Sequence, residues 1–167
     1  GVQTCALPIC YSGDIYGLLC RLTDDPEEAR DLTQDTFLRA LKAIGSFRGD
    51  SSLKTWLFRI AVNESRNRFR WWKRRRRSET ISLDVAIGDS DRTLHDTLAD
   101  EGRSPEETVL ALERETRLIE ALGKVNDTYR EAIVLCDIEG LSYEETAAAL
   151  GVNLGTVKSR ISRGREE

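Results

Sequence analysis

The sequence predicts an all-α protein of two small helical domains joined by a flexible acidic linker. Three observations predict it. No segment sustains period-two alternation, whereas apolar residues recur at helical steps. Helix starts are signposted: DPEE at residues 25–28 and SPEE at 104–107 each offer an N-cap, a proline at the first helical position and early carboxylates, and SYEE at 142–145 is a capping box. Residues 78–103 are rich in Asp, Ser, Thr and Gly and carry no strong helical stripe, which marks a linker. A chain of 167 residues has room for one ordinary domain or two small ones.

Helices are expected over residues 12–22, 26–44, 52–74, 105–122, 127–138, 142–150 and 154–165. Inside the linker Ile81, Leu83, Val85 and Ile87 alternate briefly, enough to dock as an extended segment. Residues 1–9, GVQTCALPI, resemble one translated frame of a sequencing adapter and are expected to be an artefact. The expected division is therefore a first domain over residues 10–77, a linker over 78–104 and a second domain over 105–167, with each domain truncated at its outer end.

Charge is segregated in a way that the net value of -4 hides. Residues 68–77, RFRWWKRRRR, are mostly Lys and Arg, with two tryptophans set among them. Residues 78–120 then carry twelve acidic residues against four basic ones. Residues 153–165 hold four basic residues and no acidic one. Such blocks point to polyanionic partners at two separate places.

Other classes are excluded or disfavoured. The longest purely apolar run, residues 132–136, is too short to span a membrane. Cys5, Cys10, Cys20 and Cys136 form no CxxC pair and His95 is the sole histidine, which argues against zinc; Cys20 and Cys136 read as small apolar core residues. No nucleophile–base pair, phosphate-cradling loop or metal cluster is legible, so neither an enzyme nor a cofactor is expected. A reducing cytoplasm fits.

On the second predicted helix, Ala29, Phe37, Ala40, Leu41 and Ile44 share a side that should face the core. The opposite side carries Asp31, Gln34, Asp35 and Lys42 around Leu38. Leu38 is either a partner-docking spot or a residue that packs against native N-terminal residues expected to be missing from this sequence. On the third helix Leu53, Trp56, Leu57, Ile60 and Trp71 form the expected core stripe. Arg59, Asn63, Arg66 and Arg70 lie on another side and run into Lys73, Arg74 and the rest of the basic block. This ridge suits a phosphate backbone, with Asn63 able to bond a base edge; between residues 53 and 77 only Glu64 is acidic. The preceding residues 47–52, with Phe47, Arg48 and Asp50, make either a plain capping loop or a pocket for an unstacked base.

Residues 141–161, LSYEETAAALGVNLGTVKSRI, have the layout of a helix-turn-helix. Ser142 caps the first helix, Ala147 allows close packing, Gly151 makes the turn and Asn153 caps the second helix. Leu154, Val157 and Ile161 point inward. Thr156, Lys158, Ser159, Arg160 and Arg163 are left to meet a major groove.

Together these residues resemble the bacterial sigma-70 family, in its short extracytoplasmic-function group. ARDLTQDTFLRALKAIGSFRGDSSLKTWLFRIAVN is similar to its region two and YREAIVLCDIEGLSYEETAAALGVNLGTVKSRISRGRE to its region four. The resemblance implies a promoter-specificity subunit that binds core RNA polymerase and promoter DNA. It implies that Asp31, Gln34, Asp35 and Leu38 meet the polymerase clamp helices, and that residues 47–52 capture a flipped base of the minus-ten element. It further implies that Arg59, Asn63 and Arg66 read that element, that the helix-turn-helix reads the minus-thirty-five element, and that the linker runs toward the RNA exit channel. The family often has an anti-sigma partner. Two positions depart from its pattern: Asn67 stands where Asp is common, and Lys124 where proline is common. Two other classes remain as alternatives: a helix-turn-helix regulator acting without core polymerase, and a scaffold binding only proteins. The basic ridge and the loop before it argue against the regulator. Salt-insensitive interactions throughout would favour the scaffold.

Overall fold

A computed structural model describes residues 6–23, 25–78 and 105–167. The described residues form helices and turns with no strand. Helix α1 spans Ala6–Leu22, α2 Pro26–Ala43 and α3 Leu53–Ser78, with a 3-10 turn at Ile44–Ser46. Then come α4 (Pro105–Lys124), α5 (Asp127–Ile133) continuing into a π turn at Val134–Ile138, α6 (Tyr143–Leu150) and α7 (Leu154–Glu166). The seven expected helices are present. Helix α1 starts earlier than expected, inside the suspected adapter stretch, and α3 runs further into the basic block. Most of the linker, including the brief alternation at Ile81 to Ile87, and the Ser104 cap lie outside the described residues.

Local chemistry sets the ends. The Asp25 side chain accepts from the Glu27 amide at 2.9 Å, ahead of Pro26. Ser52 Oγ accepts from the Thr55 amide at 3.0 Å at the head of α3. At the departure at Lys124, α4 simply runs on; Asn126 caps α5 instead, accepting from the Thr128 amide at 3.0 Å. Ser142 and Glu145 make the reciprocal capping box, and Gly151, at φ +66°, takes the left-handed turn that an L side chain resists.

The first half packs α1, α2 and α3 around Ile15, Leu18, Leu19, Leu32, Leu57, Phe58, Ala61 and Val62, all buried. Helices α2 and α3 run antiparallel, as paired contacts record: Arg39 with Glu64, Asp35 with Arg68, Glu28 with Trp72. Three expectations about this core are corrected. The deep face of α3 is rotated toward Phe58, Ala61 and Val62, which leaves Leu53, Trp56 and Ile60 half-buried on its flank. Trp71 shares that shallow flank, level with the first turn of α2, where the bundle ends, and is 43% exposed instead of core. Leu41 sits at the edge of the buried side of α2 and is exposed beside Leu38.

The second half closes α5, α6 and α7 around Ala132, Val134, Leu135, Ala149, Leu150, Val157 and Ile161. Gly164 is where α7 presses against α5: a Cβ there would lie 2.6 Å from Ile133 Cδ1 and 2.8 Å from Tyr129 Cβ. The halves also touch, chiefly through α3 against α6 and α1 against α4.

Candidate functional site

On α2, Asp31, Gln34 and Leu38 are exposed, Leu38 at 55%. Asp35 is half-buried and takes a 3.3 Å ion pair from Arg68 of α3. Leu38 therefore stands mostly open among the described residues. With Leu41 one turn on, it makes a small apolar patch rimmed by carboxylates and an amide. Sequence reasoning had assigned Leu41 to the core. Its position three residues after Leu38 was the available signal.

The loop before α3 keeps Arg48, Gly49 and Asp50 exposed, with Gly49 at φ +79°. Phe47 is half-buried and leans on Trp56, ring centroids 5.2 Å apart at 48°. The loop is thus anchored at one end by an aromatic contact and open at its tip.

Along α3, Arg59, Asn63, Asn67 and Arg70 are exposed. Glu64, the sole acidic residue of this helix, turns the other way and is buried against α2, where Arg39 Nε reaches it at 2.8 Å. Burial pushes its carboxyl above the ordinary glutamate value, and Arg39 opposes that rise. The outward face is left without a carboxylate. Asn67 accepts from Arg70 at 2.9 Å, so the departure from Asp exchanges an ion pair for a neutral acceptor. Lys73 and Arg74 are exposed at the helix end.

In the helix-turn-helix, Asn153 Oδ1 accepts from both the amide and the hydroxyl of Thr156, each at 2.8 Å. Lys158, Ser159 and Arg163 are exposed on α7. Thr156 and Arg160 are half-buried, and Arg160 Nη1 has no hydrogen-bond partner among the described residues. Arg165 instead forms a bidentate pair with Asp137, at 2.9 and 2.7 Å, tying α7 to the π turn.

Comparison with known proteins now adds to this geometry. The family description "Sigma-70 region 2" matches residues 10–77, and "Sigma-70, region 4" matches residues 115–167. The RNA polymerase sigma-H factor of Pseudomonas aeruginosa is 37% identical over 161 residues, covering 96% of this chain and 81% of the relative. The chain belongs to the sigma-70 family. The ECF RNA polymerase sigma factor SigW of Bacillus subtilis, 36% identical over 157 residues, covers 93% of this chain and is itself covered to 81%, which agrees with the extracytoplasmic-function group. Among solved structures, the sigma factor RpoE in complex with the anti-sigma factor NepR from Bartonella quintana superposes with a TM-score of 0.70 at 30% identity. That match covers 96% of this chain and 90% of that one. CnrH in complex with the cytosolic domain of CnrY gives 0.65 at 26% identity, covering 98% of this chain and 82% of that one.

Region 2 and region 4 meet through the middle of α3. Arg66 forks onto Glu131 of α5, Nε to Oε1 at 2.8 Å and Nη2 to Oε2 at 2.6 Å, and its Nη1 donates to the Leu150 carbonyl at 3.0 Å. The bond to Glu131 raises the arginine's pKa further. Thr55 donates to Glu145 of the region 4 capping box at 3.1 Å. Arg21 bridges Glu115 at 2.8 Å and Glu139 at 3.1 Å, and Lys54 reaches Glu139 at 3.8 Å. Among the described residues of the predicted ridge, Arg66 is the one shown with its guanidinium bonded to region 4. It lies on the margin of the ridge nearest Thr55, the side that turns toward α6. Nothing in the local sequence signals Glu131 as its partner, 65 positions away.

Proposed function

We propose that this chain is a promoter-specificity subunit of bacterial RNA polymerase. Region 2 docks on core polymerase through Leu38 and the surrounding Asp31, Gln34 and Asp35. The loop of Phe47, Arg48 and Asp50 takes a base out of the minus-ten element. Arg59, Asn63, Arg66 and Arg70 follow the opened strand, with Lys73 and Arg74 on its phosphates. Region 4 reads the minus-thirty-five element with Thr156, Lys158, Ser159, Arg160 and Arg163.

The observation that carries this reading is the pairing of two separate exposed basic helix faces, on α3 and α7, in one chain. A helix-turn-helix alone suffices for duplex binding. It needs neither an exposed cationic helix face free of carboxylates nor an open-tipped loop beside it. The work is binding and strand opening, with no covalent step, and energy for melting comes from captured bases and phosphate contacts. Core polymerase and promoter DNA are the partners, in the cytoplasm. Among described residues no helix is long and apolar enough to cross a membrane. The sigma factor RpoE of Bartonella quintana is bound to the anti-sigma factor NepR, and we include a protein of that class among the partners.

Transcription from a randomised promoter library tests the proposal. Core polymerase with the chain should yield transcripts enriched for two sequence blocks at fixed separation, and core alone should not. Enrichment of a single duplex site, bound equally without polymerase, would favour the regulator instead.

A further inference from the structure

Helix α6 is gripped by α3 at both ends. At its first turn the Thr55 hydroxyl donates to Glu145 at 3.1 Å, and Ser52 Oγ lies 2.7 Å from Thr55 Oγ1. At its last residue the Leu150 carbonyl accepts from Arg66 Nη1 at 3.0 Å, while the rest of that guanidinium forks onto Glu131. Arg66 belongs to the ridge assigned above to the opened strand, and Ser52 to the loop before it. A fork of two short bonds to a carboxylate is also the geometry in which an arginine holds a phosphate. The Arg66 and Glu131 side chains are 27% and 14% exposed, so salt screens the pair only weakly. Across the same boundary Arg21 meets Glu115 at 2.8 Å and Lys54 meets Glu139 at 3.8 Å, again region 2 cations on region 4 carboxylates.

We propose that Glu131 occupies Arg66 in place of a phosphate, so that the strand-binding ridge of region 2 is complete only when regions 2 and 4 part. While α3 sits on α6, Arg59, Asn63 and Arg70 are exposed but Arg66, between them, is withheld. Distance supplies the need to part, and here the inference rests on the promoter reading above. Elements named for positions ten and thirty-five lie about 25 steps apart, roughly 85 Å of straight duplex at about 3.4 Å per step. A single globule of this length spans only about 40 Å. The closed chain therefore cannot lie on both elements at once. Whatever separates the regions, core polymerase above all, raises the affinity of region 2 for a strand, and by reciprocity the strand favours separation.

The test titrates single-stranded oligothymidylate against the full chain, free and bound to core polymerase. In the free chain Glu131→Gln should tighten binding about fivefold or more. It should also steepen the salt slope by about 0.7, the share of one phosphate contact. With core bound, the same variant should stay within about twofold of the unsubstituted chain, because Arg66 is already released. In an Arg66→Gln background, Glu131→Gln should change nothing in either state. A variant that merely loses its fold does not gain affinity. X-ray scattering from the free, unsubstituted chain gives a second reading that needs no substitution. Its radius of gyration should lie near about 15 Å, whereas halves parted on residues 79–104 would give about 20 Å or more. The larger value in the unsubstituted chain would overturn the proposal. So would a Glu131→Gln variant that binds the strand no more tightly, or a gain that survives Arg66→Gln. Failure of the sigma reading is distinguishable: it appears as absent core retention by the unsubstituted chain, and the free-chain titration and scattering still decide whether Glu131 withholds Arg66.

Discussion

Residues 53–67 and 68–75 belong to one helix, α3, but they meet different neighbours. The first stretch is sandwiched: Phe58, Ala61 and Val62 are fully buried in region 2, and Thr55 and Arg66 bond across to region 4. The second outruns the bundle, meeting Asp35 and Glu28 of α2 through Arg68 and Trp72 and leaving aromatics and cations in the open. Both stretches pair aromatics with arginines, so residue type alone does not separate scaffold from surface. What separates them is whether a partner helix runs alongside. The proposed DNA contacts differ in the same way: Arg66 would have to leave Glu131 before it could meet a strand, while Arg70, Lys73 and Arg74 are already exposed.

The largest test of this contrast substitutes one phenylalanine in each stretch. Phe58→Ala should destabilise the fold by about 3–5 kcal/mol, whereas Phe69→Ala should stay within about 0.5 kcal/mol. Urea unfolding of the two variants reads the difference, and similar losses would mean that the helix end is packed after all. Next comes the bond between the regions. Glu131→Ala strands a partly buried guanidinium and should cost about 1.5–3 kcal/mol. Asp35→Ala, removing the more exposed pair with Arg68, should cost under about 1 kcal/mol. Double-mutant cycles with Arg66→Ala and Arg68→Ala isolate the two couplings.

Salt dependence sharpens the comparison further. Lys73→Gln and Arg74→Gln should each flatten the salt slope of single-strand binding by about 0.7 in the free chain. Arg66→Gln should leave that slope unchanged in the free chain and weaken binding only when core polymerase is present. The smallest effect is in pH. The Ser142 amide holds the Glu145 carboxyl below its ordinary value. Its stabilisation is therefore full above the unfolded value and is lost as pH falls through the lower folded value. Glu139 runs the other way: burial raises its carboxyl, and protonation at falling pH relieves that penalty. Glu145→Gln should remove the acid-side loss in melting temperature, and Glu139→Gln should not.

Much of this was legible because it is local. Asp25, Ser142, Gly151 and Asn153 act within one turn, so their spacing gives the helix ends and the helix-turn-helix directly. The exposed face of Arg59, Asn63 and Arg70 follows from helical period alone. Trp71 was misplaced because periodicity tells which residues share a side of a helix but not how far the neighbouring helix extends. The bond of Arg66 to Glu131 was illegible because it joins segments that only the packing of the two regions brings together. Gly164 could have been found: it follows Ile161 by three and Val157 by seven, on the inward stripe of α7, where a missing side chain signals close approach.

The most direct measurement is retention of core RNA polymerase by the immobilised chain, beside a Leu38→Glu variant whose helicity is intact. The account predicts that the chain retains core and that Leu38→Glu loses it at least tenfold, because a charge replaces the centre of the exposed α2 patch. Core bound equally by both, or by neither while duplex DNA is still bound in a salt-dependent way, would contradict it.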